Sequence, residues 1–270
     1  MSPANMAAQA GQDLASLRQQ KPLVHNITNL VVMNFNANAL LAAGASPVMA
    51  HAHEEVEEMV SLAGALVLNI GTLTPHWVQS MEIAGRQANQ LGIPVILDPV
   101  GAGATRLRTQ SALRLLQQLK ISVVRGNASE VLSLARSGGG TKGVDSIHGV
   151  DEAVEAAGLL ARELGTVIAI TGQRDLVTDG QNLWRVANGH AMMGSITGMG
   201  CAATAMMGAF LAVQPDPVAA AVGGLCFLGL AGQRAAAASQ GPGSFQVAFL
   251  DELMALTPDD LSAGALIQTS

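Results

Sequence analysis

Four short apolar runs constrain this fold more than any other feature, because each one ends abruptly in a polar residue or a glycine. They cover residues 65–70, 95–97, 121–124 and 166–170. Runs of this length that are apolar on both faces are typical of buried strands in a parallel sheet. Helical patterns lie between them, at residues 77–91, 109–119 and 150–164. The alternation predicts an α/β fold with a doubly wound, mostly parallel sheet.

An antiparallel hairpin is expected beside these strands. Residues 175–178 and 182–187 have strand patterns, and Asp179 and Gly180 between them are typical turn residues. No shift in composition marks a boundary anywhere in the chain. We therefore expect residues 1–270 to form a single domain.

The chain becomes helical and very apolar after Gly200. Ala, Met and Leu are frequent there, which predicts helices over residues 201–213 and 218–239. The longest apolar stretch, residues 218–231, is shorter than the roughly 20 residues that a membrane span needs. We interpret it as part of a buried helix and expect no membrane partner.

Composition narrows the class of protein. Hydrophobic residues are 49% and charged residues 13% of the chain, which excludes intrinsic disorder. The net charge is −6 and no basic stretch occurs, so a nucleic-acid partner is not expected. The first residues lack the basic and then apolar pattern of a signal peptide, which predicts a cytoplasmic protein. So little charge leads us to expect that apolar surface is buried between subunits.

Polar residues follow each of the four apolar runs. Ligands bind beyond the carboxyl ends of the strands in open α/β sheets, so these residues mark a candidate site. Glycine and Asx residues are also ordinary turn formers, and only their convergence favours a functional interpretation. The residues concerned are Asn69, Gly71, Asp98, Arg125, Asn127, Glu130, Thr171 and Gly172.

Two carboxylates of this set are candidate metal ligands. Asp98 and Glu130 would lie at the same sheet edge, where they could hold Mg²⁺ directly or through water. The alternative is that Glu130 sits in the first turn of a helix that begins near Ala128. His51 and His53, which precede several glutamates, form a second metal candidate. An exposed acidic helix start explains those residues as well.

Residues 197–204 (TGMGCAAT) carry the sharpest local signal. Two glycines lead into a strong helix former, so backbone N–H groups and the positive end of a helix would point at one spot, which suits a phosphate. Cys201 would be the first residue of that helix, and the helix end would lower the pKa of its thiol. The alternative is a small buried cysteine at a helix start.

Two common nucleotide-binding motifs are missing from the sequence. No GxxxxGK[ST] pattern occurs, which disfavours a P-loop enzyme. Gly101 and Gly103 lack the third glycine of a dinucleotide fingerprint. A cysteine nucleophile for acyl transfer would need a partner histidine, and His190 is the nearest along the chain.

Nine motifs in one order give a resemblance that runs from Pro22 to about Pro258. Their lengths and order make chance agreement implausible. The chain resembles the hydroxyethylthiazole kinase family, whose fold is a ribokinase-like three-layer αβα arrangement around a mostly parallel sheet. The motifs are residues 24–29 (VHNITN), 34–38 (NFNAN), 44–49 (GASPVM), 66–73 (LVLNIGTL), 96–101 (ILDPVG), 125–130 (RGNASE), 170–172 (ITG), 197–201 (TGMGC) and 241–245 (GPGSF).

The resemblance implies phosphoryl transfer from ATP to the primary alcohol of 5-(2-hydroxyethyl)-4-methylthiazole, a reaction of thiamine biosynthesis and salvage. It also implies a Mg²⁺ cofactor and a homotrimer with active sites between subunits. Most ribokinase-like enzymes have Asp at the position of Cys201, so the cysteine is specific to the thiazole enzymes.

The same resemblance assigns roles to individual residues. Asn29, Met49 and Gly198 would bind the thiazole, with Met49 contributed by a neighbouring subunit. Arg125 and Thr171 would contact the ATP phosphates, and Asp98 and Glu130 would hold magnesium. Cys201 would receive or orient the hydroxyl proton, and the backbone of Gly198 and Gly200 would help to form an anion hole.

Two alternatives remain open. One is another ribokinase-like vitamin kinase, acting on hydroxymethylpyrimidine or pyridoxal, and the other is a thiazole-binding protein without activity. Met199 stands where the family more often has a small residue or Thr, so its bulk is expected to alter nucleotide access. The glycine-rich residues 137–143 (SGGGTKG) predict a flexible loop.

Overall fold

The computed structural model describes residues 1–137 and 150–269, and nine strands within them form one sheet. The strands are β1 (Leu23–Ile27), β2 (Ser46–Val48), β3 (Ala65–Asn69), β4 (Val95–Asp98), β5 (Val123–Gly126), β6 (Val167–Ile170), β7 (Asp175–Thr178), β8 (Leu183–Val186) and β9 (Ile267–Thr269). Their order across the sheet is β2-β1-β3-β4-β5-β6-β7-β8-β9. The first six pair in parallel, and the last three add in antiparallel fashion.

Helices cover both faces of the sheet. They are α1 (Pro3–Gln20), α2 (Met33–Ala43), α3 (Val56–Ser61), α4 (Pro75–Leu91), α5 (Arg106–Gln118), α6 (Ala128–Ser137), α7 (Val150–Leu164), α8 (Met199–Leu211), α9 (Pro217–Ala237), α10 (Pro242–Ala255) and α11 (Pro258–Gly264). A short 3₁₀ helix, Ala191–Ser195, precedes α8. The predicted three-layer αβα arrangement around a mostly parallel sheet is confirmed.

Two apolar cores lie on opposite faces of the sheet. Val67 and Ile96 pack with α1, α2 and α8 to α10 on one face, whereas Leu66 and Leu97 pack with α3 to α7 on the other. Side chains alternate between faces along a strand, so strands covered on both sides must be apolar throughout. This is why the four apolar runs identified the sheet.

The strand ends differ slightly from the prediction. β4 extends to Asp98, which pairs with Asn69 of β3, and β5 contains Arg125, which pairs with Ala169 of β6. These polar residues therefore belong to the ladder instead of following it. The hairpin β7–β8 and the bounds of α7 are confirmed, whereas most of the predicted loop at 137–143 lies outside the described residues.

Helix α9 is the most apolar long element of the described chain. It is the one helix there that is long and apolar enough to cross a membrane, yet 89% of its most apolar window is buried within the protein. It packs against α1, α8 and α10. The prediction of a buried helix in this region is confirmed.

Candidate functional site

A row of polar side chains crosses the sheet at its carboxyl edge. Val67 and Ile96 face α8, and two residues further along the same strands lie Asn69 and Asp98. Because the side-chain period of a strand is two, these residues also face α8. Arg125 of β5 completes the row, since its guanidinium reaches Asp98.

Asp98 is the buried centre of this row, with no exposed surface. Its Oδ2 accepts hydrogen bonds from Asn69 Nδ2 at 2.8 Å and from Thr204 Oγ1 of α8 at 2.7 Å. Arg125 Nη1 lies 3.4 Å from the same oxygen. The other carboxylate oxygen of Asp98, Oδ1, is buried without a hydrogen-bond partner among the described residues. Burial raises the pKa of Asp98 above its ordinary value, and the charge of Arg125 offsets only part of this shift.

Arg125 joins Asp98 to the next strand. Its Nη2 donates a hydrogen bond to Thr171 Oγ1, just past β6. A Cβ atom at Gly200 would lie 2.7 Å from both terminal guanidinium nitrogens. Only glycine lets the first turn of α8 approach the cation this closely, and the structure thus brings together Arg125, Thr171 and Gly200 as predicted.

The first turn of α8 presents backbone N–H groups at this point. Gly198 is the N-cap with φ of +90°, and the first intrahelical bond runs from Ala202 N to Gly198 O at 2.8 Å. The amides of residues 199–201 precede that bond, so they have no acceptor within the helix. A Cβ at Gly198 would lie 2.7 Å from Val32 Cγ1, so glycine is needed there for space as well as for conformation.

Cys201 is the third residue of α8, not the first as predicted, and it is half-buried. Asn29 Nδ2 lies 3.4 Å from its Sγ and donates a second hydrogen bond to Asn69 Oδ1 at 2.9 Å. Asn29 is therefore placed between Cys201 and the polar row. It lies two residues after the end of β1 and is almost fully buried.

The predicted lowering of the Cys201 pKa is wrong. Burial raises the pKa of the thiol to about 11, and the negative charge of Asp98 adds to the shift. Hydrogen bonds from Asn69 and Asn29 and the charge of Arg125 act in the opposite direction without reversing it. The sequence revealed the helix end but neither the burial nor the neighbouring carboxylate.

Met199, the first residue of α8, is buried in the core. Its side chain is only 8% exposed and belongs to the apolar core beneath α8. This burial gives no support to the expectation that its bulk alters nucleotide access. The alternation of small and large residues in this turn leaves glycine at the site and puts methionine in the core.

Glu130 occupies the first turn of α6, which begins at Ala128 as the alternative interpretation proposed. Its Oε2 accepts a hydrogen bond from Asn127 N at 2.8 Å, and its own N–H donates to Asn127 Oδ1 at 2.9 Å. This is a reciprocal capping box. Its Oε1 accepts from Gly101 N at 2.7 Å. Glu130 therefore caps a helix and fixes a loop, whatever else it does.

Asp98 has one oxygen atom that suits a hard cation. The unpartnered, buried Asp98 Oδ1 needs a ligand or a proton. Burial raises the pKa of Asp98 most, and the like charge of Glu130 raises it further, a repulsion that a bound cation would relieve. In the part of the chain that the structure describes, no group of three or more His, Cys, Asp or Glu side chains forms a metal cage.

Met49 lies apart from the polar row. It follows β2, the strand at the edge of the sheet, and is half-buried. Its carbonyl oxygen accepts a hydrogen bond from His51 Nδ1 at 3.2 Å. His51 stacks on Trp77 at 4.0 Å and His53 on His76 at 3.7 Å, so these rings are used in packing.

His190 is not arranged as a base for Cys201. Its side chain is exposed and caps the 3₁₀ helix, with Nδ1 accepting from Met192 N at 3.2 Å. Cys201 has Asn29 as its hydrogen-bond partner instead. The geometry therefore gives no support to the acyl-transfer interpretation.

Two residues of the site, Asn69 and Thr204, occur in the sequence motifs but had no predicted role of their own. Asn69 bridges Asn29 and Asp98, and Thr204 donates to Asp98 from α8. The signal for Thr204 was its spacing, because residues 201 and 204 share one face of a helix. A third residue, Arg108, was missed altogether, and it binds three carbonyl oxygens at the same edge of the sheet.

Comparisons with known proteins point to one family. The model of the hydroxyethylthiazole kinase family matches residues 14–259. The hydroxyethylthiazole kinase of Desulfotalea psychrophila is 55% identical over 266 residues, which cover 98% of this chain and 97% of that protein. The enzyme of the same name from a Roseiflexus species is 52% identical over 267 residues, 99% of this chain and 98% of that one.

Solved structures give the same result. A hydroxyethylthiazole kinase protein from Pyrococcus horikoshii superposes with a TM-score of 0.90 at 44% identity, over 97% of this chain and 98% of that one. The pyridoxal kinase of Staphylococcus aureus, solved with AMP-PCP and pyridoxal, gives a TM-score of 0.60 at 14% identity, over 92% and 98%. That likeness shows a common ribokinase-like fold alone. Sequence, family model and structure together place the chain in one family: it belongs to the hydroxyethylthiazole kinases.

Proposed function

We propose that this kinase transfers the γ-phosphoryl group of ATP to the hydroxyl of 5-(2-hydroxyethyl)-4-methylthiazole, in thiamine biosynthesis or salvage. One observation carries the proposal: the free amides of α8 and the Arg125 guanidinium converge at Gly200, next to Cys201, and Arg125 also reaches the buried Asp98 carboxylate. Phosphoryl transfer depends mainly on positioning and on stabilising charge, and this arrangement supplies both.

The nucleotide side of the site would be built on β5, β6 and α8. Arg125 and Thr171 would bind ATP phosphates, and the amides after Gly198 would bind the oxygens of the transferring group. Asp98 and Glu130 would hold a magnesium ion, which when bound neutralises charge on the phosphate oxygens. Arg125 would then exchange part of its contact with Asp98 for contact with phosphate.

The acceptor side would be built on Asn29, Cys201 and Gly198. A thiol with a pKa of about 11 keeps its proton near neutral pH. Cys201 would therefore orient the acceptor hydroxyl instead of deprotonating it. A loose transition state requires little activation of the attacking oxygen, so this role is sufficient for the reaction. Met49 would line the apolar part of the thiazole pocket from a neighbouring subunit, since methionine packs well against irregular aromatic ligands.

A cytoplasmic homotrimer is part of the same proposal. Leu30 and Val31, directly after Asn29, are 65% and 64% exposed. Large apolar side chains left exposed beside a site favour burial against another copy of the chain. Light scattering should then give about three times the chain mass of 27.6 kDa.

The first experiment is ADP release from ATP and Mg²⁺ with hydroxyethylthiazole, hydroxymethylpyrimidine, pyridoxal or no acceptor. Stimulation by the thiazole alone supports the proposal. Stimulation only by one of the other alcohols would assign a different vitamin kinase, and no release with any of them would favour the binding protein. A magnesium titration of Asp98→Asn beside wild type tests the metal site, because an unchanged requirement would remove Asp98 from it.

Shared sites between subunits can be tested by mixing two inactive variants. Met49→Glu and Gly200→Val would each damage a different part of the site. If Met49 acts across the interface, mixed trimers contain some sites with both natural residues, and activity returns on co-refolding. If Met49 acts within its own chain, no such site forms and activity stays lost.

A further inference from the structure

Arg108 binds three backbone carbonyl oxygens with one guanidinium. It lies in the first turn of α5, and its Nη1 donates to Val100 O at 2.7 Å and to Ile70 O at 3.2 Å. Its Nη2 donates to Gly71 O at 2.6 Å. These carbonyls belong to two different loops, one after β3 and one after β4.

The position of Arg108 is electrostatically unfavourable for its own helix. The start of a helix carries partial positive charge, and cations there are destabilising. The first turn of α5 contains no acidic residue to offset Arg108. Its guanidinium is directed to neutral carbonyls, which compensate a cation less well than a carboxylate would. A cation kept at such a place needs a reason outside the stability of α5.

One peptide bond after β4 is held at both ends. Val100 and Gly101 share a peptide group whose carbonyl accepts from Arg108 and whose N–H donates to Glu130 Oε1, each at 2.7 Å. A cation therefore fixes one side of this plane and a carboxylate the other. The plane lies two residues after Asp98, so it limits the movement of the loop that leaves the centre of the site.

The other loop leads to the acceptor side of the site. A Cβ at Gly71 would lie 2.6 Å from Asn29 Nδ2, so the two residues are in tight contact. Gly71 N also donates to Asn69 Oδ1 at 3.0 Å. Asn29 in turn contacts Cys201. Arg108 thus connects the loop that supports Asn29 to the loop that follows Asp98.

We infer that Arg108 is a positioning residue for phosphoryl transfer, which keeps the acceptor side and the phosphate side of the site in fixed relative position without touching either substrate. This inference rests on the proposed function. A displacement of about 1 Å between reacting groups can lower a rate about 100-fold. We therefore expect the loss of Arg108 to lower kcat more than it weakens substrate binding.

The test compares Arg108→Gln with Arg106→Gln, which removes the same charge from an exposed residue in the same turn. We expect kcat of Arg108→Gln to fall about 10- to 100-fold, with KM for ATP and thiazole changed less than about threefold. Arg106→Gln should keep wild-type values. Arg108→Lys should recover only part of kcat, because one ammonium does not span two loops. The melting temperature should change little, since water can replace the partly exposed contacts.

Two results would overturn the inference. One is equal kcat for Arg108→Gln and Arg106→Gln. The other is full activity of Arg108→Lys together with a raised KM for ATP in both glutamine variants, which would show attraction of the nucleotide by charge alone.

Hydrogen exchange separates this inference from the proposed function. Amides of residues 70–74 and 100–105 should exchange faster in Arg108→Gln than in Arg106→Gln, whether or not the wild-type protein phosphorylates the thiazole. Equal exchange in the two variants would refute the positioning role of Arg108. An inactive wild type with faster exchange in Arg108→Gln would refute the proposed function alone.

Discussion

Removing the thiol of Cys201 should cost little activity, because a thiol with a strongly raised pKa is almost fully protonated at neutral pH. Burial and the neighbouring Asp98 raise its pKa to about 11. At pH 8, only about one molecule in a thousand would carry the thiolate. A positioned general base contributes about 10²- to 10⁴-fold when it is in the correct protonation state, and so rare a thiolate forfeits most of that. We expect Cys201→Ser, which keeps a small polar group beside Asn29, to retain kcat within about tenfold.

The assay is kcat against pH from about 6 to 10 for wild type, Cys201→Ser and Cys201→Ala, with saturating substrates. The three profiles should be parallel, with no wild-type ionisation that the variants lack. Alkylation by iodoacetamide gives an independent measurement of the same thiol. Cys226 is fully buried in α9, so native protein should react at Cys201 alone, and Cys226→Ala should react at the same rate.

A different outcome would refute this reasoning. If wild-type kcat rises tenfold per pH unit to a plateau below pH 9, and Cys201→Ser lacks that rise, the thiolate is the base. An alkylation rate with a midpoint below pH 9 would show that the helix end outweighs burial at this position.

Three further predictions concern neighbouring residues. Gly200→Ala should raise KM for ATP about tenfold in initial-rate measurements, because a Cβ would displace Arg125. The free energy of unfolding, measured in urea, should stay equal or rise by up to about 1 kcal/mol, because alanine favours the helix. Burial raises the pKa of Asp175 to about 6 from its ordinary 3.8, so the folded protein holds a proton that the unfolded chain releases, and stability should fall as pH rises through that interval. Asp175→Asn, which still accepts the Gly172 N–H, should lessen this fall in urea unfolding at several pH values; an identical pH dependence would contradict the assignment. Met199→Ala should lower the free energy of unfolding by about 2–3 kcal/mol and leave KM for ATP unchanged, since the side chain lies in the core.

The framework of the fold was predictable because burial on two faces leaves a strong pattern in a strand. Residues 65–70 and 166–170 could only be central strands, and their polar ends had to meet at one edge. Gly198 and Gly200 were predictable for a related reason. Glycines before a helix rich in Ala and Met indicate a close approach of backbone to something else, here Val32 and the Arg125 guanidinium.

The remaining features depend on contacts between residues distant in sequence. The pKa of Cys201 is raised by burial and then by the charge of Asp98, which lies on another element. Glu130 binds Gly101 N–H across 29 positions, which no local pattern reveals. Arg108 left one faint signal, a cation in a helix start without an acidic neighbour. Met49 stays a prediction, because its proposed contact involves a second chain.

The two apolar cores are built from different segments of the chain. Helices α3 to α7, which cover one face, come from a continuous stretch in the middle of the sequence, whereas the other face joins α1 and α2 to α8, α9 and α10. During synthesis from the N-terminus, the first layer can be completed while the second still lacks its central helices. The contacts of Asn29 with Cys201 and of Asp98 with Thr204 can therefore form only after α8 has left the ribosome. The candidate site is therefore complete only once α8 has been synthesised, although the six parallel strands precede that helix in the chain.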